Sequence, residues 1–515
     1  MAISKSGQLI TMWCNRVPSR NALKLQTVHR YQYRYYNRYL TTTNVYHRYY
    51  TKGGNAKTLI KALALGIGSL VAYIETGALT LIKNDSKKPR RRIIVIEDDE
   101  SDDENDEEEE SDEDREERLE LERLERVRNK PLLSQIFNIS DFEYVAKQIL
   151  PYGTWGYYST GSDDEFSLRE NHYAFGRIFF RPRCLVDVSK ATTETEEIFG
   201  VKFDAPFYCT AFAGAPMAHP DAEKNLLAAC GKENLPYLIP FQLSFPFDEF
   251  MSDALPQHQN FHQVHFYNKK QLEEGPAYLQ SIEQKYPNIK AFFINVDLPC
   301  LGNREKDAKI RAALDPTVND DLSVFASPTV SYLNITWDDI IELQKSTNLP
   351  IVLKGVLSKE DVLKAAQVGL GGCLISNHGG RQLDFAMPPI EILAQSRKLL
   401  RENGIQDHDF KLFIDGGIRR GSDIIKAICL GADAVGLGRP FLYAMASYGQ
   451  PGVEKAMQLL KEEMLRDMKL LGVNKISDLN EELVDIETLK YKGISSSDYL
   501  YNSNYTSMPA PPFSE

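Results

Sequence analysis

Gly372-Cys373-Leu374-Ile375-Ser376-Asn377-His378-Gly379-Gly380-Arg381-Gln382-Leu383-Asp384 is a short apolar run that breaks into a turn carrying one histidine and one arginine. Four uncharged residues bounded by turn-forming ones read as a buried strand. His378 and Arg381 then project from the C-terminal end of that strand. An imidazole that can take a proton and a guanidinium that can grip a carboxylate, three residues apart, suit chemistry on a 2-hydroxy acid. His-Gly-Gly alone is an ordinary turn; the ten residues from Ile375 to Asp384 are the specific signal.

Outward from this strand the same texture repeats. Short β-branched or aromatic runs alternate with helical stretches such as Ser358–Gln367 and Ser422–Leu430. Eight strands can be counted: Pro206–Thr210, Tyr237–Phe241, His262–Phe266, Ala291–Val296, Pro350–Leu353, Gly372–Ile375, Lys411–Ile414 and Ala434–Leu437. The second and third are the weakest. Eight strand-helix units predict an α/β protein, a (β/α)8 TIM barrel over residues 131–503, with its site on the loops that follow the strands.

Two late loops carry a phosphate signal. Asp415-Gly416-Gly417-Ile418-Arg419 follows the seventh strand, and Gly438-Arg439-Pro440 follows the eighth. Glycines let backbone N–H groups approach an anion, and barrels commonly bind phosphate at these two loops. Each is an ordinary turn when taken singly; together they predict a phosphorylated cofactor. Lys354 ends the fifth strand and is expected to point into the same mouth. Otherwise it is a surface lysine.

The charge is distributed unevenly. The 515 residues sum to −12, but residues 97–117 hold 17 Asp or Glu and one Arg, so the rest is near neutral. A neutral body has no basic field for nucleic acid. The seven cysteines are scattered without a CxxC pair, which speaks against a disulfide scaffold and a structural zinc site, and no metal is expected.

Ahead of the barrel, eleven Lys or Arg precede the first acidic residue, Glu75. Residues 1–57, basic, hydroxyl-rich and acid-free, read as a mitochondrial transit segment or a basic arm. Residues 58–82 are mostly apolar, and at ~1.5 Å rise per residue could span the ~30 Å of a bilayer as an inner-membrane anchor or sorting helix. Glu75 within that stretch is costly in lipid. Residues 83–130 read as an acidic disordered linker, with Arg115–Arg128 patterned as charged helix. The linker is a solvated spacer or a dock for a basic partner such as cytochrome c. Residues 504–515 form a C-terminal tail.

From about Ser140 to Asn502 the chain resembles the FMN-dependent 2-hydroxy acid dehydrogenases and oxidases, above all their cytochrome-linked L-lactate dehydrogenase branch. Besides Ile375–Asp384 the resemblance rests on Tyr157-Tyr158-Ser159, Arg169-Glu170-Asn171, Arg177-Ile178-Phe179-Phe180, Leu301-Gly302-Asn303-Arg304-Glu305-Lys306-Asp307, and Asp415 through Pro440. It implies FMN as cofactor and a lactate-like L-2-hydroxy acid as substrate. It implies His378 as the base, Asp297 as the carboxylate that pairs with it, and Arg381, Tyr157 and Arg304 as substrate ligands. Lys354, Gln263, Ser376, Asp415, Gly416, Gly417, Arg419, Gly438 and Arg439 would hold the flavin. It also implies a homotetramer, and an intermembrane-space or inner-membrane location in mitochondria. The branch's haem domain has no counterpart: residues 83–130 are too short and no His-Pro-Gly-Gly occurs.

The first half of the barrel departs from the family pattern. Phe212 stands where the family has Thr or a small residue, and Pro240 where it has a flavin-binding Ser. His265 replaces a substrate-binding Tyr, and Asn295 a flavin-binding Thr. His265 is a substrate contact or simply a satisfied strand histidine. Two functions follow from different classes. One is an FMN-dependent L-2-hydroxy acid dehydrogenase with altered preference. The other is a weak or silent barrel acting as a membrane-tethered scaffold.

Overall fold

The computed structural model describes residues 112–314 and 333–489. The chain divides after Glu120, and the barrel unit begins at Leu121. The expected transit segment (1–57), the apolar stretch 58–82 and the tail 504–515 lie outside the described residues. No described helix is long and apolar enough to cross a membrane. Within the linker 83–130, the stretch Arg115–Arg128 patterned as charged helix lies in helix α1, Asp112–Arg128, which starts three residues earlier. Its Leu, Glu and Arg residues are good helix formers, and pairs such as Glu122–Arg126 lie one turn apart.

Helices α2 (Ile139–Ile149), α3 (Tyr152–Ser159) and α4 (Phe166–Gly176) lead to a short strand β1 (Phe179–Phe180). A capping box starts α2: Asn138 accepts from Asp141 N, and Asp141 accepts from Asn138 N. Strands β2 (Phe207–Cys209), β3 (Leu238–Ile239), β4 (Asn260–Val264), β5 (Ile289–Asn295), β6 (Ile351–Val356), β7 (Gly372–Ile375), β8 (Lys411–Asp415) and β9 (Ala434–Leu437) then form one parallel sheet. Its order is β2-β9-β8-β7-β6-β5-β4-β3, and a parallel bridge between Cys209 and Tyr237 closes it into a barrel. Between and after the strands come α5 (Ala222–Lys232), α6 (Phe247–Ser252), α7 (Lys269–Lys285), α8 (Glu305–Leu314), α9 (Trp337–Gln344), α10 (Lys359–Gln367), α11 (Pro389–Glu402), α12 (Gly421–Cys429) and α13 (Arg439–Leu471). The last strand, β10 (Val484–Asp485), pairs antiparallel with β1.

Strand alternation builds the core in two shells. Tyr208, Leu238, Phe261, Phe293, Val352, Leu374, Phe413 and Ala434 fill the barrel interior. Their neighbours, such as Cys209, Ile239, Phe292, Leu353 and Ile414, pack outward against the helices. The interior is aromatic: the Phe293 ring lies 5.3 Å from Phe261 and 5.1 Å from Phe413. Phe199, from the turn before β2, sits against Phe261 and Phe413 at 6.1 and 5.9 Å and seals the end where the strands begin.

All eight expected strands occur in the expected order. Most boundaries move by one to three residues, and two of the shifts bear on the site. The third strand runs Asn260–Val264 rather than His262–Phe266, and its earlier end leaves His265 beyond it. The fifth runs on from Leu353 through Lys354 to Val356, with a register shift at Gly355. Gly355 has φ +104°, and a Cβ there would stand 2.3 Å from the Asp297 side chain, so only glycine fits.

Candidate active site

The C-terminal ends of the strands bring the expected residues into one mouth. Asp297 follows β5, Lys354 lies in β6, His378 follows β7 and Asp415 ends β8. His378 has φ +59° and its backbone N–H donates to Ser376 Oγ (3.0 Å). Its Nδ1 lies 2.9 Å from Asp297 Oδ2. A carboxylate only accepts, so Nδ1 carries the proton and donates, which leaves Nε2 as an acceptor. Lys354, itself buried, places Nζ 3.7 Å from the same carboxylate oxygen.

These contacts set the charges. Burial pushes the Asp297 carboxyl up, but Lys354 and His378 outweigh it and hold it well below the usual carboxylate range. Burial, reinforced by Lys354 and opposed by Asp297, brings His378 down to about 4, so at neutral pH it is an uncharged base. His265 is likewise brought down to about 4, chiefly by burial, and lies in the field of Asp297, His378 and Lys354. A cavity of about 50 Å³ adjoins it, lined by Asn295, Leu298, Pro299, Leu333 and Ile335 among others.

A second cluster is cationic. Arg381 Nη1 donates to Tyr157 O (2.6 Å) and Thr160 O (2.9 Å), and its guanidinium lies 4.9 Å from the Tyr157 ring centre. Burial and then Arg304 bring Arg381 down to about 9, still protonated at neutral pH. Arg304 Nε is buried without a hydrogen-bond partner. Among the described residues neither arginine forms an ion pair with a carboxylate. Two guanidiniums that push on one another beside a neutral base make a site for an anion.

The remaining wall is polar and incompletely satisfied. Gln263 Nε2 donates to Asn295 Oδ1 (3.1 Å), while its Oε1 accepts from Phe241 N (3.3 Å). Pro240, buried beside them, has no N–H to give. Asp415 is pushed up by burial, hydrogen-bonds Ser376, and keeps Oδ1 without a partner. Thr210 Oγ1 is also buried without a hydrogen-bond partner, and Arg419 Nε, which makes no hydrogen bond, lies 3.8 Å from Glu143 Oε2. Gly438 lies so near Thr210 that a Cβ would stand 3.2 Å from its methyl group.

Two predicted cofactor ligands do other work as well. Gly416 and Gly417 have φ +94° and +81°, and a Cβ on Gly417 would sit 2.0 Å from Asn171 O, so this glycine lets the loop lie against α4. Arg439 donates to Tyr158 O, Gly379 O and Thr160 O at 2.8–3.0 Å, tying the end of α3 to the His378 loop. Sequence reasoning missed the reciprocal amide pair Asn171–Asn377 (2.7 and 2.6 Å), which joins α4 to the β7 loop. Both residues stand in the stretches that carried the resemblance, and a paired buried amide was the one use left for them.

A model of the FMN-dependent dehydrogenases matches residues 146–486. The chain belongs to the FMN-dependent dehydrogenase family. Two yeast relatives are L-lactate dehydrogenases (cytochrome). That of Wickerhamomyces anomalus is 44% identical over 408 residues, covering 76% of this chain and 69% of the relative. That of Saccharomyces cerevisiae is 42% identical over 390 residues, covering 73% and 65%. The chain thus spans about two-thirds of the length of these relatives. A solved flavocytochrome b2 variant with pyruvate bound is 40% identical, with a TM-score of 0.67 over 77% of this chain and 99% of that one. FMN is the cofactor of the family, and this wall suits it. Buried polar atoms without a hydrogen-bond partner (Thr210 Oγ1, Asp415 Oδ1) are available to it, and Lys354 supplies positive charge.

Proposed function

We propose that this protein oxidises an L-2-hydroxy acid of lactate-like size to the 2-oxo acid. The observation that carries the reading is the neutral His378, backed by Asp297 at 2.9 Å, beside a pair of arginines with no carboxylate of their own. Bound FMN supplies the acceptor for the two electrons that leave the substrate. Arg381, Arg304 and Tyr157 hold the substrate carboxylate. His378 Nε2 takes the proton that leaves the substrate, and Asp297 stabilises the imidazolium that results. Lys354 would help to hold the flavin and supply positive charge to stabilise its reduced form. Gln263, Asn295, Ser376 and Asp415 would hold the flavin ring, and Gly416, Gly417, Arg419, Gly438 and Arg439 would hold its phosphate. His265 borders the substrate's side chain.

The basic, acid-free segment 1–57 and the apolar segment 58–82 support a mitochondrial location, at the inner membrane or in the intermembrane space. The names of the yeast relatives support a cytochrome as electron acceptor, and the acidic tract 97–117 suits a basic one such as cytochrome c. A homotetramer is part of the same reading. Pro240 and Phe212 favour a second reading, a barrel that is silent and serves as a tethered scaffold.

Purified full-length protein separates the two. Visible flavin absorbance that bleaches on anaerobic addition of L-lactate, and not D-lactate, is the expected result. Bleaching only by glycolate or by longer acids would change the substrate. Protein that stays colourless when FMN is supplied would sink the enzyme reading.

A further inference from the structure

Gln382 follows Arg381, and both N–H groups and the carbonyl oxygen of its amide are in use. Nε2 donates to Asp297 O (2.7 Å) and Cys300 O (2.9 Å), and Oε1 accepts from Gly302 N (2.9 Å). The three partners lie along the loop that leaves β5. That loop begins with the carboxylate that meets His378, and Arg304 follows two residues after Gly302. The two loops also touch through their backbones: a Cβ on Gly302 would stand 2.4 Å from Arg381 O and 2.8 Å from Gln382 Cα. A third segment holds both, since Ser162 N donates to Gly380 O and Asp163 N donates to Asn303 O, each at 2.9 Å.

We propose that Gln382 is a positioning residue: it clips the β5 loop to the β7 loop, so that Asp297 stays on His378 and Arg304 stays opposite Arg381. The proposal rests on the reading of His378 as the base. Catalytic groups on separate loops keep their geometry only if the loops keep their distance, and a displacement of about 1 Å can cost ~100-fold in rate.

A clip that merely strengthened the fold would leave the folded protein's chemistry alone. A positioning residue moves the proton affinity of His378. The groups that face His378 are Asp297 and Arg304 from the β5 loop, Lys354 from β6 and His265 beyond β4. Of these Asp297 alone raises its affinity, and it outweighs Arg304. Loosening the loop therefore lowers it.

The test uses full-length, flavin-loaded protein carrying Gln382→Met, which keeps the length and loses all three bonds. Gln382→Leu serves as a second variant, a smaller uncharged side chain that also loses all three bonds. With normal flavin content, kcat/KM for L-lactate should fall ~10- to 100-fold in both, and the acid limb of its pH profile should move to lower pH. Flavin-loaded Gln382→Met within about twofold of wild type, with an unmoved limb, would overturn the proposal. If that variant fails to fold, Gln382→Leu decides by the same two readings. If wild-type protein oxidises no 2-hydroxy acid, the functional reading fails separately. The clip is then judged by NMR titration of labelled His378: a lowered pKa in the variants supports it, and an unchanged one overturns it.

Discussion

Asp297 Oδ2 lies 2.9 Å from His378 Nδ1, and Lys354 Nζ approaches the same oxygen at 3.7 Å. The carboxylate and the ammonium act on the imidazole with opposite sign: Asp297 favours the charged ring and Lys354 disfavours it. Removing one or the other should therefore displace the base in opposite directions.

Asp297→Asn keeps the shape and removes the charge. His378 then loses the one group that raises its proton affinity, so the acid limb of kcat/KM should move below its wild-type position near pH 4. The imidazolium formed during turnover also loses its partner, and kcat should fall by ~100-fold or more. A kcat within a few-fold of wild type, at full flavin content, would remove Asp297 from the mechanism.

Lys354→Met should move the same limb upward, because the cation that depresses His378 is gone. It should also weaken FMN binding, since Lys354 is buried at the mouth and no other lysine is placed there in the proposed cradle. Flavin fluorescence on dilution measures the second effect independently of turnover.

Gly417→Ala should not be tolerated. The added Cβ would fall 2.0 Å from Asn171 O, in a conformation at φ +81° that strains any side chain. We expect a loss of more than about 2 kcal/mol in denaturant stability, with flavin retention falling in parallel. Gly176→Ala, with nothing within 4 Å of the new carbon, is the control.

His265→Tyr replaces a ring that borders both the catalytic cluster and the adjoining cavity. If His265 contacts substrate, the change should shift kcat/KM between L-lactate and longer 2-hydroxy acids by about tenfold. An unchanged ratio would give His265 no part in substrate choice.

Acid should destabilise this fold before most carboxylates titrate. His262, fully buried between Ile239 O and the Tyr278 hydroxyl, and His265 both lie at about 4 in the folded chain against 6.5 ordinarily. Between those values an unfolded chain takes up protons that the folded one refuses. Their contribution is thus intact above about pH 6.5 and is lost as the pH falls towards 4, about 1–2 kcal/mol per group by pH 5. Urea midpoints at pH 7 and pH 5 measure it, and equal midpoints would contradict it.

Much of this was legible in the chain. Strand positions could be counted because parallel strands buried on both faces leave short apolar runs, and Gly372–Ile375 and Ala434–Leu437 fell where expected. His378, Asp297 and Lys354 could be placed because each ends or follows such a run. The extension of β6 past Lys354 was hidden, since it depends on Asp297 filling the space over Gly355. The three bonds of Arg439 to backbone carbonyls were hidden too, because nothing in a sequence shows where a long side chain's donors go. Helix Asp112–Arg128 was legible from Arg115 on, and only its acidic first turn was assigned to the tract before it.

Among the described residues, the aromatic floor closes one end of the barrel. Phe199, Phe261, Phe293 and Phe413 stop the far end, so whatever reaches Lys354 and His378 arrives from the strand-end side. Fuel and oxidant therefore share an entrance. The spent acid must clear the doorway before a small oxidant can enter by it, and a large one has to draw its electrons from the threshold. In a steady-state experiment varying both reactants, that geometry favours turns taken one after the other over a queue at two separate gates.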